Sequence, residues 1–213
     1  WSVLPLHCPT ASGCSCGNAA CDSPAKHPRT PHGLTDATTN ARQVRSWWSR
    51  WPTASVGIRT GAGRLVLDVD PRNGGDDSLA ELERKHGSLP LTWRCATGGG
   101  GSHFWFATSG EVKSKKGLLP GLDIKADGGN VVAHPSRHIS GGEYLWDPTA
   151  HPDDIPLAEA PAWLLELVGK RASLTPEQWA EVAARHVPEG TTTGRHNTLC
   201  SLAGLEFASN QIG

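Results

Sequence analysis

Methionine is absent from this chain, and tyrosine occurs once, at Tyr144. No apolar run approaches the ~20 residues that a membrane-spanning helix needs, so no membrane association of that kind is expected. The charged, apolar and small-residue regions of a secretory signal are also missing. With Trp1 in first place and no methionine, we expect a processed or trimmed chain, ahead of which a targeting segment has room. Neither sign of charge is in excess: 20 Lys and Arg stand against 21 Asp and Glu, for a formal net charge of −1. That excludes attraction to nucleic acid by bulk charge and leaves only local patches for such a role. A lone tyrosine gives little support to strand nicking by a tyrosine nucleophile. What the chain has in quantity is 25 Gly, 16 Pro and 9 Trp. Many turns and loops follow, with most of the tryptophans in the core. The 213 residues allow one sizeable domain, or one plus a small appendage.

The most informative stretch is Arg64-Leu-Val-Leu-Asp-Val-Asp70. Its apolar, β-branched run reads as a buried strand. Buried strands seldom carry charge unless it is paired or bound to metal. Side chains alternate along a strand, so Asp68 and Asp70 share a face. A divalent cation between them removes their repulsion, and hard oxygen ligands suit Mg²⁺ or Mn²⁺. A turn through Pro71-Arg72-Asn73-Gly74 accounts for Asp70 without a metal, but not for Asp68. Asp123 is a third carboxylate in an apolar strand, Leu122-Asp-Ile124. Together, three such carboxylates can hold two divalent ions about 4 Å apart, the arrangement for in-line displacement at phosphorus.

Four of the six cysteines fall in Cys8-x5-Cys14-x-Cys16-x4-Cys21, with His7 before them and His27 after. A loop this rich in Gly and Pro buries little and needs a staple, either disulfides or zinc. Cys14 and Cys16 are too close to pair comfortably, and a histidine at this spacing favours tetrahedral Zn²⁺. Cys14, Cys16, Cys21 and His27 are the expected ligands of a structural site, with Cys8 and then His7 in reserve. Cys95 and Cys200 read as buried apolar thiols. Lys26, Arg29, Arg42, Arg45 and Arg50 follow, with Asp36 the only acid from 24 to 50. They form either a solvated face or a phosphate-facing patch, to which Lys26 and Arg29 in the loop are best suited.

The remaining elements follow in order. Thr39-Asn40 starts, by capping, a helix bearing Val44, Trp47, Trp48 and Trp51, stopped by Pro52. A strand over 55–60 and a Gly61-Ala-Gly63 turn lead into the acidic strand. Asp76 or Asp77 is expected to cap a helix from Ser78 to His86. After a strand over 92–97, four glycines (98–101) precede His103 and an aromatic strand. Such a run lets backbone approach a ligand, and His103 becomes a candidate phosphate contact. Lys113, Lys115 and Lys116 read as a basic loop. Strands flank a turn at Gly128-Gly129, and a loop with Ser136, Arg137 and His138 precedes a last strand. Pro161–Val168 reads as an amphipathic closing helix.

Taken as a set, Lys-His-Pro-Arg, Trp-Trp-x-x-Trp-Pro, Val-Gly-Ile-x-Thr-Gly, Leu-Asp-Val-Asp, Gly-Gly-Gly-x-His-Phe-x-Phe, Gly-Leu-Asp-Ile-Lys-x-Asp-Gly-Gly and Val-Val-Ala-x-Pro-Ser resemble the bifunctional primase–polymerase domain of the archaeo-eukaryotic primase superfamily. The likeness covers about residues 1–168, with a linker over 169–174. Residues 175–213 resemble the start of a helical domain that assists priming. The resemblance implies an α/β (α+β) fold with an RRM-like antiparallel catalytic sheet, a zinc-binding loop over about 7–28 and a small C-terminal helical appendage. It implies a nucleotidyltransferase that makes primers and extends DNA on a template from dNTPs or NTPs, in replication of a plasmid, phage or mobile element. It implies Asp68, Asp70 and Asp123 as ligands of catalytic Mg²⁺ or Mn²⁺, and His103 as a triphosphate contact. Lys125, Ser136, Arg137 and His138 would join the nucleotide pocket. Lys26, Arg29, Arg195 and Asn197 would contact DNA or phosphate, though Asn197 also suits a helix cap. A cytoplasmic setting and a helicase-like part beyond residue 213 are expected. Two competing readings remain: a metal-dependent phosphodiesterase or nicking enzyme, and a non-catalytic zinc-containing DNA-binding module of a replication initiator.

Overall fold

The computed structural model describes residues 1–169. The remainder of the expected linker, the helical piece over 175–213, and Arg195, Asn197 and Cys200 lie outside the described residues. The strands are β1 (Val3–Leu6), β2 (Pro9–Thr10), β3 (Gly13–Cys14), β4 (Ser55–Arg59), β5 (Arg64–Val69), β6 (Arg94–Ala96), β7 (Ser102–Ala107), β8 (Lys115–Leu119), β9 (Leu122–Lys125), β10 (Asn130–Ala133) and β11 (Leu145–Trp146). The α-helices are α1 (Ala41–Arg50), α2 (Gly75–His86) and α3 (Ala162–Gly169). Short 3₁₀ turns cover Gly33–Asp36 and Pro71–Asn73. None of the described helices is long and apolar enough to cross a membrane.

Six strands form one sheet in the order β11-β6-β7-β5-β9-β8, and three form another in the order β1-β4-β10. A third, two-stranded sheet joins β2 and β3. Every pairing between these strands is antiparallel. The chain is thus a mixed α/β fold built on antiparallel sheets with few helices.

Strand β5 shows why the layers assemble as they do. Its odd positions Leu65, Leu67 and Val69 pack with Phe106, Leu122 and Ile124, against Leu82 of α2 and Leu164 of α3. Fully burying each such side chain contributes on the order of 2 kcal/mol. On the opposite face, Val66 and Trp105 meet Ile58 and Val131 of the three-stranded sheet. Strand β5 is therefore buried on both faces along most of its length, which explains its nearly unbroken apolar run. The contact between sheets gives out beyond Val66. From Asp68 onward the same face opens into a cleft.

Three details differ from the sequence expectation. Helix α2 begins at Gly75 with Gly74 as its cap, so Asp76 and Asp77 sit in its first turn and neither caps it. Carboxylates there complement the helix dipole without accepting the cap bond. Lys115 and Lys116 belong to strand β8, not to a basic loop. Lys115 Nζ donates to the carbonyls of Leu167 and Val168 at the end of α3, at 3.1 and 3.4 Å. Helix α3 extends through Gly169, so the expected linker starts inside the helix. By contrast, the Asn40 side chain accepts from the amides of Arg42 and Gln43, as its capping position predicts.

Candidate active site

The cleft, of about 920 Å³, lies between the open end of the six-stranded sheet and strand β10. Backbone register sets its chemistry. Asp68 on β5 pairs directly with His103 on β7 and with Asp123 on β9. Directly opposed residues hold their Cβ atoms ~5 Å apart on one face of the sheet. Three groups far apart in sequence are thereby brought side by side. Asp70 follows one residue past β5, and all four line the cleft.

Asp70 is fixed by backbone. Its N–H donates to the Gly121 carbonyl at 2.8 Å, and its own carbonyl accepts from Gly75 at 3.0 Å. Gly121 has φ +66°, and a Cβ there would stand 2.3 Å from the Gly75 nitrogen. Only glycine allows this approach of the β8–β9 turn to the start of α2. The Asp70 carboxylate accepts from the Arg72 amide and guanidinium and from the Asn73 side chain. Burial opposes ionisation of this acid, but the Arg72 hydrogen bonds and charge outweigh it and hold its pKa below the ordinary carboxylate value.

Asp123 accepts from Lys125 Nζ at 2.7 Å and from the Gly117 amide at 2.6 Å. The amide is aimed by the register shift between Lys115 and Leu119 in the β8–β9 pair. Asp68 Oδ1 lies 3.5 Å from His103 Nε2. His103 is buried, and burial depresses its pKa even though Asp68 pulls the other way. Its imidazole is therefore neutral near pH 7, and Nδ1 has no hydrogen-bond partner. Each carboxylate thus has its own counterpart: His103, Arg72 or Lys125. The three do not form a tight knot; among the described residues, the Cys/His loop alone gathers three or more ligand atoms within 4.8 Å. Asp68 and Asp123 nonetheless offer hard oxygens from adjacent strands on one face, a donor set that fits Mg²⁺ or Mn²⁺.

The other expected site residues fall into two groups. Lys26, Lys125 and His138 line the cleft. His138 Nδ1 lies 2.8 Å from Ser140 Oγ, and burial lowers its pKa. The remaining three make their contacts outside the cleft. Ser136 Oγ accepts from the Val56 amide at 2.8 Å. Arg137 pairs with Glu143 at 2.7 Å. The Arg29 guanidinium lies over Trp51. The glycine run is largely consumed by packing, since a Cβ at Gly101 would meet the Val69 carbonyl at 2.2 Å. Gly99 alone of the four faces the cleft.

Sequence reasoning missed Arg72, Asn73, Lys116 and Tyr144, all of which line the cleft. Arg72 and Asn73 are visible in the sequence as turn residues, and nothing there shows that the turn borders a cleft. Tyr144 is 3 % exposed and packs with Leu4, Leu6, Cys95 and Val132. Burial raises its pKa, with the Asp68 charge adding to the effect. A buried phenol that resists ionisation is a poor nucleophile for strand nicking. Burial likewise pushes the Cys95 thiol up to about 12, in line with an inert core residue.

Beside the cleft, Cys14, Cys16, Cys21 and His27 place one ligand atom each within 4.8 Å of all the others. These are the four expected from the sequence. Cys14 Sγ lies 3.5 Å from His27 Nε2 and accepts from the Ala25 amide at 3.3 Å. Burial disfavours the Cys14 thiolate, but hydrogen bonds from the amides of Ala25 and Cys16 overcome this and bring its pKa to about 6. Three sulfurs and one imidazole at this spacing suit tetrahedral Zn²⁺. Cys8 is turned away, its Sγ 3.7 Å from Thr53 Oγ1, and His7 Nδ1 lies 2.9 Å from Ser15 Oγ. The segment between the last two ligands reaches the cleft through Asp22, Ser23, Pro24 and Lys26.

An antiparallel α/β domain thus carries facing carboxylates, basic side chains and a cysteine-rich loop at one open cleft. The comparison with known families is specific: residues 1–163 match the bifunctional DNA primase/polymerase, N-terminal family. The chain belongs to that family. Membership implies primase/polymerase activity of the nucleotidyltransferase type, with DNA and nucleotides as substrates. No curated protein matches the chain.

Proposed function

We propose that the domain synthesises and extends primers on a DNA template by two-metal phosphoryl transfer, with a primase-type catalytic sheet built on β5, β7 and β9. The observation that carries this reading is the register that sets Asp68 directly between His103 and Asp123. When bound, Mg²⁺ or Mn²⁺ would supply positive charge at the phosphates and make the primer 3′-hydroxyl a better nucleophile.

The chain's own residues do the rest. Asp68 and Asp123 would hold the ions from adjacent strands, with Asp70 as a further carboxylate at the same cleft. Arg72 and Lys125 bring cations to the cleft, where charge builds on the leaving pyrophosphate. Lys26 and Lys116 add positive charge to the cleft lining. His103, kept neutral, donates its single N–H to a phosphate oxygen without repelling a metal. The Cys14, Cys16, Cys21 and His27 site is structural, because a closed four-ligand shell leaves no open position. The reading extends to replication of a plasmid, phage or mobile element.

Incorporation of dNTPs on a labelled primer–template tests the proposal. Asp68→Ala should abolish incorporation while leaving the thermal unfolding profile intact. Retained incorporation by that variant refutes the assignment.

A further inference from the structure

A second concavity, of about 670 Å³, lies beside α1, lined in part by Thr30, His32, Trp47, Arg50 and Trp51. The Trp51 ring carries two guanidinium groups, Arg50 at 4.8 Å and Arg29 at 5.2 Å from its centroid. Backbone secures the second of these: the Arg29 amide donates to the Pro5 carbonyl at 3.0 Å. Trp47 and Trp51 are only half-buried, and α1 buries no residue completely. Two large aromatic surfaces thus stand at the edge of a groove. The one acid lining the groove, Asp36, is occupied by His32, through its ring at 3.1 Å and its amide at 3.1 Å. Arg42 and Arg45 stand exposed on the same helix.

Flat aromatic faces, planar guanidinium groups and no free carboxylate match the needs of a single nucleic-acid strand. Unpaired bases stack on Trp and Arg, and the phosphates pair with the cations. A duplex hides its base faces, and an anionic peptide has no use for the tryptophans. The groove is also joined to the cleft. Lys26 lines the cleft, Arg29 rests on Trp51, and Thr30 and His32 line the groove. The six steps of chain from Lys26 to His32 span at most ~20 Å.

We infer that the groove beside α1 holds the unpaired DNA template strand outside the cleft, with bases stacked on Trp51 and Trp47 and phosphates on Arg50 and Arg29. The inference rests on the template-copying reading above. It assigns to the basic stretch from 26 to 50 a nucleic-acid strand as its partner, where the alternative was a solvated helix face.

The test uses the full chain and labelled primer–templates with single-stranded overhangs of about 3 and about 15 nucleotides, bracketing typical single-strand site sizes. Fluorescence anisotropy reads affinity, and incorporation is followed on the same substrates. Wild type should bind the long overhang about tenfold more tightly, as one or two stacked bases would give. Trp51→Ala and Arg50→Glu should cut that gain to less than about twofold, and Trp51→Phe should keep most of it. Arg50 is exposed at the end of α1, so its variant reads the groove even if Trp51→Ala misfolds. Arg50→Gln should also lower the slope of log affinity against log salt by about 1. An undiminished gain in Arg50→Glu, or an equal loss on fully duplex DNA, overturns the inference. Asp68→Ala keeps the two claims apart: the overhang gain should survive in it although incorporation is lost. A wild type that incorporates with no gain from the longer overhang refutes the groove alone. A gain without any incorporation supports the groove and refutes the polymerase reading.

Discussion

The carboxylate cleft and the cysteine loop sit side by side, yet they are held in opposite ways. In the cleft, position comes from the ladder: Asp68, His103 and Asp123 are neighbours because β7, β5 and β9 pair in one register. Behind them lies a continuous core of Leu65, Leu67, Phe106 and Ile124. In the loop, β2 and β3 are two residues each, and most of residues 15–27 form no strand or helix. What gathers that loop is the meeting of Cys14, Cys16, Cys21 and His27. One site is set by the strand ladder, while the other gathers four side chains that a bound ion would tie together. The difference shows in what each loses when a side chain is removed.

The largest contrast comes from removing ligands on both sides. Asp68→Asn or Asp123→Asn should lower incorporation by on the order of 10³-fold or more, because charge stabilisation at phosphorus depends on them. Thermal melting of these variants should stay within a few degrees of wild type, since neither acid is in the core. Cys16→Ser, or a zinc chelator, should do the reverse locally. Hydrogen exchange over residues 8–27 should rise by orders of magnitude while β5 and β7 keep their protection. Loss of protection throughout the sheet on chelation would erase the contrast. Because Asp22, Ser23, Pro24 and Lys26 form one wall of the cleft, nucleotide affinity should also fall in Cys16→Ser.

A smaller effect probes the hinge between sheet and cleft. Gly121→Ala puts a Cβ 2.3 Å from the Gly75 nitrogen in a left-handed backbone. A loss of about 1–3 kcal/mol in unfolding free energy is expected, with weaker activity as Asp70 shifts. Unchanged stability and activity would show that the turn is not what fixes Asp70. The smallest effect is at Arg72, whose pair with Asp70 is partly exposed and worth no more than ~1 kcal/mol. Asp70 has a depressed pKa in the fold. Its contribution is therefore present above the ordinary carboxylate value and is lost as pH falls through the lowered one. Arg72→Ala should flatten this acid-side decline in melting temperature. A profile identical to wild type would assign Asp70 no such partner.

Much of the cleft was legible because strands constrain their side chains so strongly. Asp68 inside Leu-Val-Leu-x-Val is a charge in an apolar strand, and Asp123 repeats the anomaly between Leu122 and Ile124. Position alternation then put Asp68 on the open face. The Cys/His cluster was legible for a different reason: thiols and an imidazole in one short loop have few alternatives to meeting as a staple. What stayed hidden depends on contacts between segments. Ser136 and Arg137 have the right chemistry for the cleft, but Val56 and Glu143 engage them instead. Tyr144 carries no local signal at all, and only the packing of β1, β6 and β10 brings it to the floor of the cleft. The glycine run suggested an approach to phosphate, whereas Gly101 is required by the Val69 carbonyl behind it.

Mn²⁺ binding in the presence of a non-hydrolysable dNTP, followed by electron paramagnetic resonance, tests the central assignment most directly. The account predicts that Asp68→Asn and Asp123→Asn each weaken Mn²⁺ binding at least about tenfold, and that the double variant loses little more, as expected for two ligands acting as a unit. Wild-type Mn²⁺ affinity in either single variant would contradict it.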